Sequence, residues 1–176
     1  VISTEVLKQF DMLPWPKRDV RGKILLPSYA TPNHICSLEY FSLDSNRLTG
    51  NIPSSILKLK ALKGFEVSHN QLTGTIPLFS QLPQIQIIRL NNNRLFGTIS
   101  ESTFNASKLN DVDISNNFLS GRLPSLPFQA TGLNVFAASV NCFRRYLPSE
   151  ICHAVNLHTL ALDGMRIAEN CRLAIF

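Results

Sequence analysis

The chain lacks several things that would have placed it quickly. None of its hydrophobic runs reaches 18 residues, so nothing in it reads as a membrane-spanning segment. It has no Gly-rich phosphate loop, no H-E-x-x-H and no G-x-S-x-G. It has no C-x-x-C pair, and His153 beside Cys152 is not a ligand spacing for zinc, so neither metal nor cofactor is expected. No apolar h-region opens the chain. The first residue is Val1 rather than Met, as expected of a processed or uncaptured start. Acidic residues are the minority, 12 against 17 Lys and Arg, for a net charge of +5. A nucleic-acid binder would gather that excess into a stripe. Here Lys17, Arg18, Arg21 and Lys23 cluster in the leader and the other cations are scattered, so nucleic acid is not an expected partner.

What is present is a period. Asn46, Asn70, Asn93, Asn117 and Asn141 recur at steps of 23 or 24 residues. Apolar columns keep the same phase. Phe41, Phe65, Ile88, Val112 and Phe136 precede each Asn by five, and Leu43, Val67, Leu90, Ile114 and Ala138 by three. Leu48, Leu72, Leu95, Leu119 and Phe143 follow by two, and Ile52, Ile76, Ile99, Leu123 and Leu147 by six. A fixed period of this length is the mark of a solenoid, in which each turn buries its apolar side against the next. Residues five and three before the Asn share one side of a short strand, so successive strands stack in parallel over a common core. Where the strand ends and the chain bends, an Asn amide can both donate to and accept from backbone groups that the bend leaves unpaired. Gly50, Gly74, Gly97 and Gly121 follow four after the Asn and permit a tight turn.

The fragments LDSNRLTGNIPSSI, VSHNQLTGTIP and ISNNFLSGRLPS resemble the leucine-rich repeat family, in its plant-specific form with an L-x-G-x-I-P signature. The resemblance covers about Leu38 to Leu162. It implies an α/β fold: a right-handed solenoid with a concave parallel sheet of about six strands and an irregular or short-helical convex side. It also implies a second short strand near each Gly-x-Ile-Pro. Three segments are expected: an irregular N-terminal segment or cap over residues 1–35, repeats over 36–141, and a capping repeat over 142–176. Ser100 stands where other turns have Pro, Arg145 where they have Gly, and Met165 where the ladder Asn would fall, so the stack should end there. The segment NCFRRYLPSEICHAVNLHTLALDGMRIAENC resembles the C-terminal cap of algal and other unicellular-eukaryote members. At about 4.8 Å per turn, Cys36 lies too far from the cap to pair with it. One bridge is expected among Cys142, Cys152 and Cys171, with Cys142–Cys171 preferred.

The outward columns of the strands are the candidate site. They carry Tyr40, Ser42, Asp44, Glu66, Ser68, Arg89, Asn91, Asp111 and Asp113, with His69 at a strand end. The first four turns are polar and mixed in charge; the last two, with Val135, Ala137 and Ala161, are small and apolar. Such a face suits a peptide, protein or glycan ligand. Asp111 and Asp113 alternate on one strand, as a carboxylate pair for acid–base catalysis would. Glu66, Arg89 and Asp113 form one column, however, and opposite charges on adjacent strands make cross-strand pairs. Catalysis is therefore not expected. Asn105-Ala106-Ser107 is a glycosylation sequon on the convex side. The leading expectation is a secreted or cell-surface recognition domain. The alternatives are a subunit of an extracellular coat or fibre that self-assembles through its ends, and a cytosolic repeat scaffold.

Overall fold

A computed structural model describes residues 37–125, 132–144 and 147–164. Each turn contributes one three-residue strand to a six-stranded parallel sheet. These strands are β1 (Tyr40–Ser42), β3 (Gly64–Glu66), β5 (Ile87–Arg89), β7 (Asp111–Asp113), β9 (Val135–Ala137) and β11 (Thr159–Ala161), in that order across the sheet. The register pairs Tyr40 with Gly64, Gly64 with Ile87, Ile87 with Asp111, Asp111 with Val135, and Val135 with Thr159. Residues one period apart in sequence thus lie side by side in space. The six parallel strands form the concave sheet of a leucine-rich repeat solenoid.

A second strand follows in five of the turns, at the segment that runs into Gly-x-Ile-Pro. β2 (Thr49–Asn51) pairs with β4 (Gln71–Thr73), and β6 (Phe96–Thr98) pairs with β8 (Phe118–Gly121), which pairs with β10 (Cys142–Phe143), all in parallel. Gly74, Gly97 and Gly121 lie in these segments with φ of 83°, 90° and 87°, a region open to Gly at little cost. Convex connections are short 3₁₀ turns at Ser54–Lys58, Phe79–Gln81 and Ser149–His153.

The core lies between the six-stranded sheet and the two smaller ones. Leu62, Leu72, Leu82, Ile85, Ile88, Leu90, Leu95, Leu109, Val112, Ile114 and Phe136 have no measurable exposure. Phe41 stacks on Phe65 at 5.5 Å, Phe65 meets Phe79 at 5.5 Å, and Phe104 meets Phe136 edge-on at 6.5 Å. Ring spacings of this kind add about 1 kcal/mol per pair beyond the area buried. Coverage falls off at the last strand, where Leu160 of β11 is 37% exposed. The leader expectations, including the basic cluster, lie outside the described residues, as do Cys36, Arg145, Met165 and Cys171.

Candidate functional site

Positions on the concave sheet are fixed from beneath by the Asn column. Asn93 Nδ2 donates to the carbonyls of Val67 (3.0 Å), Leu90 (3.1 Å) and Asn91 (3.4 Å), while its Oδ1 accepts from the Leu72 N–H at 3.0 Å. Asn70, Asn117 and Asn141 repeat the pattern, reaching Leu43, Leu90 and Ile114 in the preceding turn. Asn46 donates to Leu43 and Asp44 within its own turn. The amides occupy backbone groups that a stack of bends would otherwise bury unpaired.

The residue before each ladder Asn is held in the left-handed region. Ser45, His69, Asn92, Asn116 and Val140 have φ between 53° and 56°, and Gly164 has 64°. Three side chains in this column touch in sequence. Asn116 Nδ2 donates to Asn92 Oδ1 at 2.6 Å, and Asn92 Nδ2 lies 3.4 Å from His69 Nε2. Sequence reasoning placed His69 at a strand end but missed this rail. Its members share a backbone conformation and not a residue type. Asn, tolerant of positive φ, was the available signal.

Above the ladder lies the charged patch. Arg89 Nη2 donates to Asp111 Oδ2 at 2.7 Å, and its Nη1 lies 3.4 Å from Glu66 Oε2. The expected contact of Arg89 with Asp113 is not made, although the two residues are directly opposite in the register. Asp113 Oδ1 instead accepts from the Ser115 N–H at 2.9 Å, and the long Arg side chain reaches diagonally to Asp111. The hydrogen bond to Asp111 holds the Arg89 pKa above its ordinary value, helped by the charges of Asp111, Glu66 and Asp44 and opposed by burial. Asp111 and Asp113 thus face different partners.

Tyr40 lies at the start of the patch, 50% exposed. Its ring rests against Gly64, where a Cβ would come within 2.7 Å of Tyr40 Cδ1. Gly64 thereby lets an aromatic ring lie across two turns. The third outward column is largely turned to structural use. Asp44 Oδ1 accepts from the Ser68 N–H at 2.5 Å, and Ser68 Oγ donates to Asn91 Oδ1 at 2.6 Å. Ser68 is only 5% exposed, so it does not belong to the open face on which the sequence placed it. Ser42 Oγ is 3.4 Å from Asp44 Oδ2. In the last turns Ser139 Oγ donates to Asp163 Oδ1 at 2.5 Å. That bond, with one from the Asp163 backbone, lowers the Asp163 pKa below its ordinary 3.8. The open part of the patch is therefore Tyr40, Glu66, Arg89 and Asp111 with their neighbours.

Of the cap cysteines, Cys142 is disulfide-bonded to a partner outside the described residues. Cys152 is free and exposed on the 3₁₀ turn Ser149–His153, which removes it from the bridge candidates. Asn105 is exposed on the connection between β6 and β7. Among the described residues no group of His, Cys, Asp and Glu could hold a metal ion. No helix among them is long and apolar enough to cross a membrane.

Known proteins place this geometry. A model of the leucine rich repeat matches residues 36–95. Receptor-like protein 7 of Arabidopsis thaliana is 40% identical over 57 residues, which are 32% of this chain and 5% of that protein. The plant peptide hormone receptor RGFR1, solved in complex with RGF2, superposes with a TM-score of 0.69 at 33% identity, over 72% of this chain and 20% of that one. A chain of the BIR3–SERK2 complex of Arabidopsis thaliana matches with a TM-score of 0.60 at 30% identity, over 70% of this chain and 68% of its own length. The chain thus spans a small part of the longer receptors and two thirds of a short one. Repeat spacing, sheet register and relatives agree: the chain belongs to the leucine-rich repeat proteins.

Proposed function

We propose that the chain is a recognition segment of a cell-surface or secreted receptor-like protein, and that it binds a peptide or protein segment on the concave patch of Tyr40, Glu66, Arg89 and Asp111. The observation that carries this reading is the patch itself: an open aromatic ring beside alternating charges, all mounted on a rigid hydrogen-bonded sheet. Rigid presentation keeps the entropy cost of binding low, and Tyr and Arg are the side chains that dominate protein contacts. His69, Asn91, Ser42, Asp44 and Asp113 flank the patch and complete its rim. The receptor solved with RGF2 is named a peptide hormone receptor, which favours a peptide over a glycan here. The same reading takes the repeats as the plant-specific form, supported by second strands at Leu-x-Gly-x-Ile-Pro. It keeps residues 1–35 and 142–176 as flanking caps, the latter of the algal kind by its sequence. Exposure of Asn105 and the bonded state of Cys142 support an oxidising, glycosylating compartment.

A display library of random peptides tests the site. Selected peptides should weaken at least tenfold against Arg89→Glu and against Tyr40→Ser, and should bind the convex variant Lys108→Glu as they bind the parent chain. Equal binding to all three variants would move the site off the concave sheet. Intact mass before and after glycosidase tests the location. An unmodified Asn105 together with free thiols throughout would overturn it in favour of a cytosolic scaffold.

A further inference from the structure

The charges divide by face, and the division marks a second surface. On the concave sheet and its rim, Asp44, Glu66, Asp111, Asp113 and Asp163 outnumber Arg89. The outward positions of the second strands carry the opposite sign. Leu48, Leu72, Leu95, Leu119 and Phe143 point into the core, so the residues alternating with them face out. Those residues are Arg47, Thr49 and Asn51; Gln71, Thr73 and Thr75; Arg94, Phe96 and Thr98; Phe118, Ser120 and Arg122; and, at β10, Cys142 and Arg144. There is no Asp, Glu or Lys among them. Arg47, Arg94, Arg122 and Arg144 are all exposed, and none makes an ion pair among the described residues.

Register sharpens the point. Gly121 pairs with Phe143, so Arg122 and Arg144 are direct neighbours on adjacent strands. Like charges placed opposite each other destabilise a sheet unless something anionic lies against them. Phe96 pairs with Phe118 in the same layer, and Phe96 is 44% exposed. The flank therefore sets two aromatic rings between Arg94, two residues before Phe96, and the neighbouring pair Arg122 and Arg144 just past the far ends of β8 and β10. Arg and aromatics enriched, with Lys, Glu and Asp depleted, is the composition of a protein-binding core and not of a solvated wall.

We propose that this flank, distinct from the concave patch, docks an acidic protein surface that also presents an apolar side chain to Phe96. Carboxylates of the partner lie against Arg122 and Arg144 at one end of the strands and against Arg94 at the other, each guanidinium fork taking one carboxylate through two hydrogen bonds. The concave patch and the flank thus bind different things: a ligand of mixed charge on one side and an acidic partner on the other.

The defined probe is an extended peptide of alternating Glu and Phe, labelled for fluorescence anisotropy, with Glu–Ser and Lys–Phe repeats and polygalacturonate as comparators. The Glu–Phe peptide should bind the chain, weaken steeply with salt, and lose at least tenfold in affinity with Arg122→Glu/Arg144→Glu and with Phe96→Ser. Circular dichroism of both variants checks that the fold is kept, and Arg89→Glu should leave this binding intact. No binding by the Glu–Phe peptide, or binding indifferent to the arginines, overturns the proposal. So does equal binding of Glu–Ser peptide and polygalacturonate with no effect of Phe96→Ser, which would make the flank a polysaccharide strip. Self-association of the chain that Arg122→Glu abolishes would also overturn it, naming a second copy as the occupant. Failure of the peptide-library test on the concave sheet leaves these outcomes untouched, because the variants expected to lose Glu–Phe binding, Arg122→Glu/Arg144→Glu and Phe96→Ser, play no part in that test.

Discussion

The buried Asn column and the outward columns of the concave sheet run along the same strand ends, but they obey different rules. One carries Asn in five successive turns; the other carries Ser42, Glu66, Arg89, Asp113, Ala137 and Ala161. The difference teaches what the repeat is repeating. Each bend presents the same unpaired backbone groups, so the same side chain answers them. The outward positions meet no such demand, and each turn is free to present something different.

The sharpest way to break that comparison is at the ladder. Replacing Asn93 by Ala removes three donated bonds and the acceptor for the Leu72 N–H. A buried unsatisfied group costs about 1–3 kcal/mol, so a loss of at least ~3 kcal/mol is expected in denaturant-induced unfolding. A loss below ~1 kcal/mol would mean that the Asn93 amide does not hold those backbone groups.

A gain is expected at Val140. It is a β-branched residue held at φ 53°, where Asn92 and Asn116 sit in the neighbouring turns. Val140→Asn should stabilise by about 1 kcal/mol through relief of that strain. No change in the unfolding midpoint would show that side-chain packing outweighs the backbone term.

The outward face should respond more weakly. Arg89→Ala is expected to change stability by less than ~1 kcal/mol, since the Arg89 pairs are solvent-facing. Its effect belongs to binding, and a large loss of stability would return Arg89 to the framework. The smallest effect concerns acid. The Asp163 pKa is lower in the folded chain than in the unfolded one, so its contribution is present above pH 3.8 and fades as pH falls through the folded value. Protection against hydrogen exchange in the last turn, taken relative to the intrinsic exchange rate at each pH, should therefore fall slightly on acidification below about pH 4, and Ser139→Ala should flatten that dependence.

Much of this was legible in the sequence because a period shows itself in columns. The strand phase, the core residues and the rows of neighbouring outward residues all follow from spacing by 23 or 24. What a column cannot show is reach. Arg89 spans two positions to Asp111 and bypasses its register partner Asp113, whose carboxylate is taken by the Ser115 N–H. Nor does a column of unlike letters reveal a shared conformation: Ser45, His69, Asn92, Asn116, Val140 and Gly164 have little in common except positive φ. The burial of Ser68 was hidden for a related reason. It occupies an outward position, but Asp44 and Asn91 on either side close over it.

The ladder bonds also have a direction. Asn70 donates to Leu43 and accepts from Leu48, both in the turn before it; Asn93 does the same for Val67 and Leu72. Each turn is thus completed by the one that comes after it in the chain. During synthesis, which delivers the N-terminal turns first, every newly exposed turn waits on its successor, and the finished stack is only as settled as its last amide.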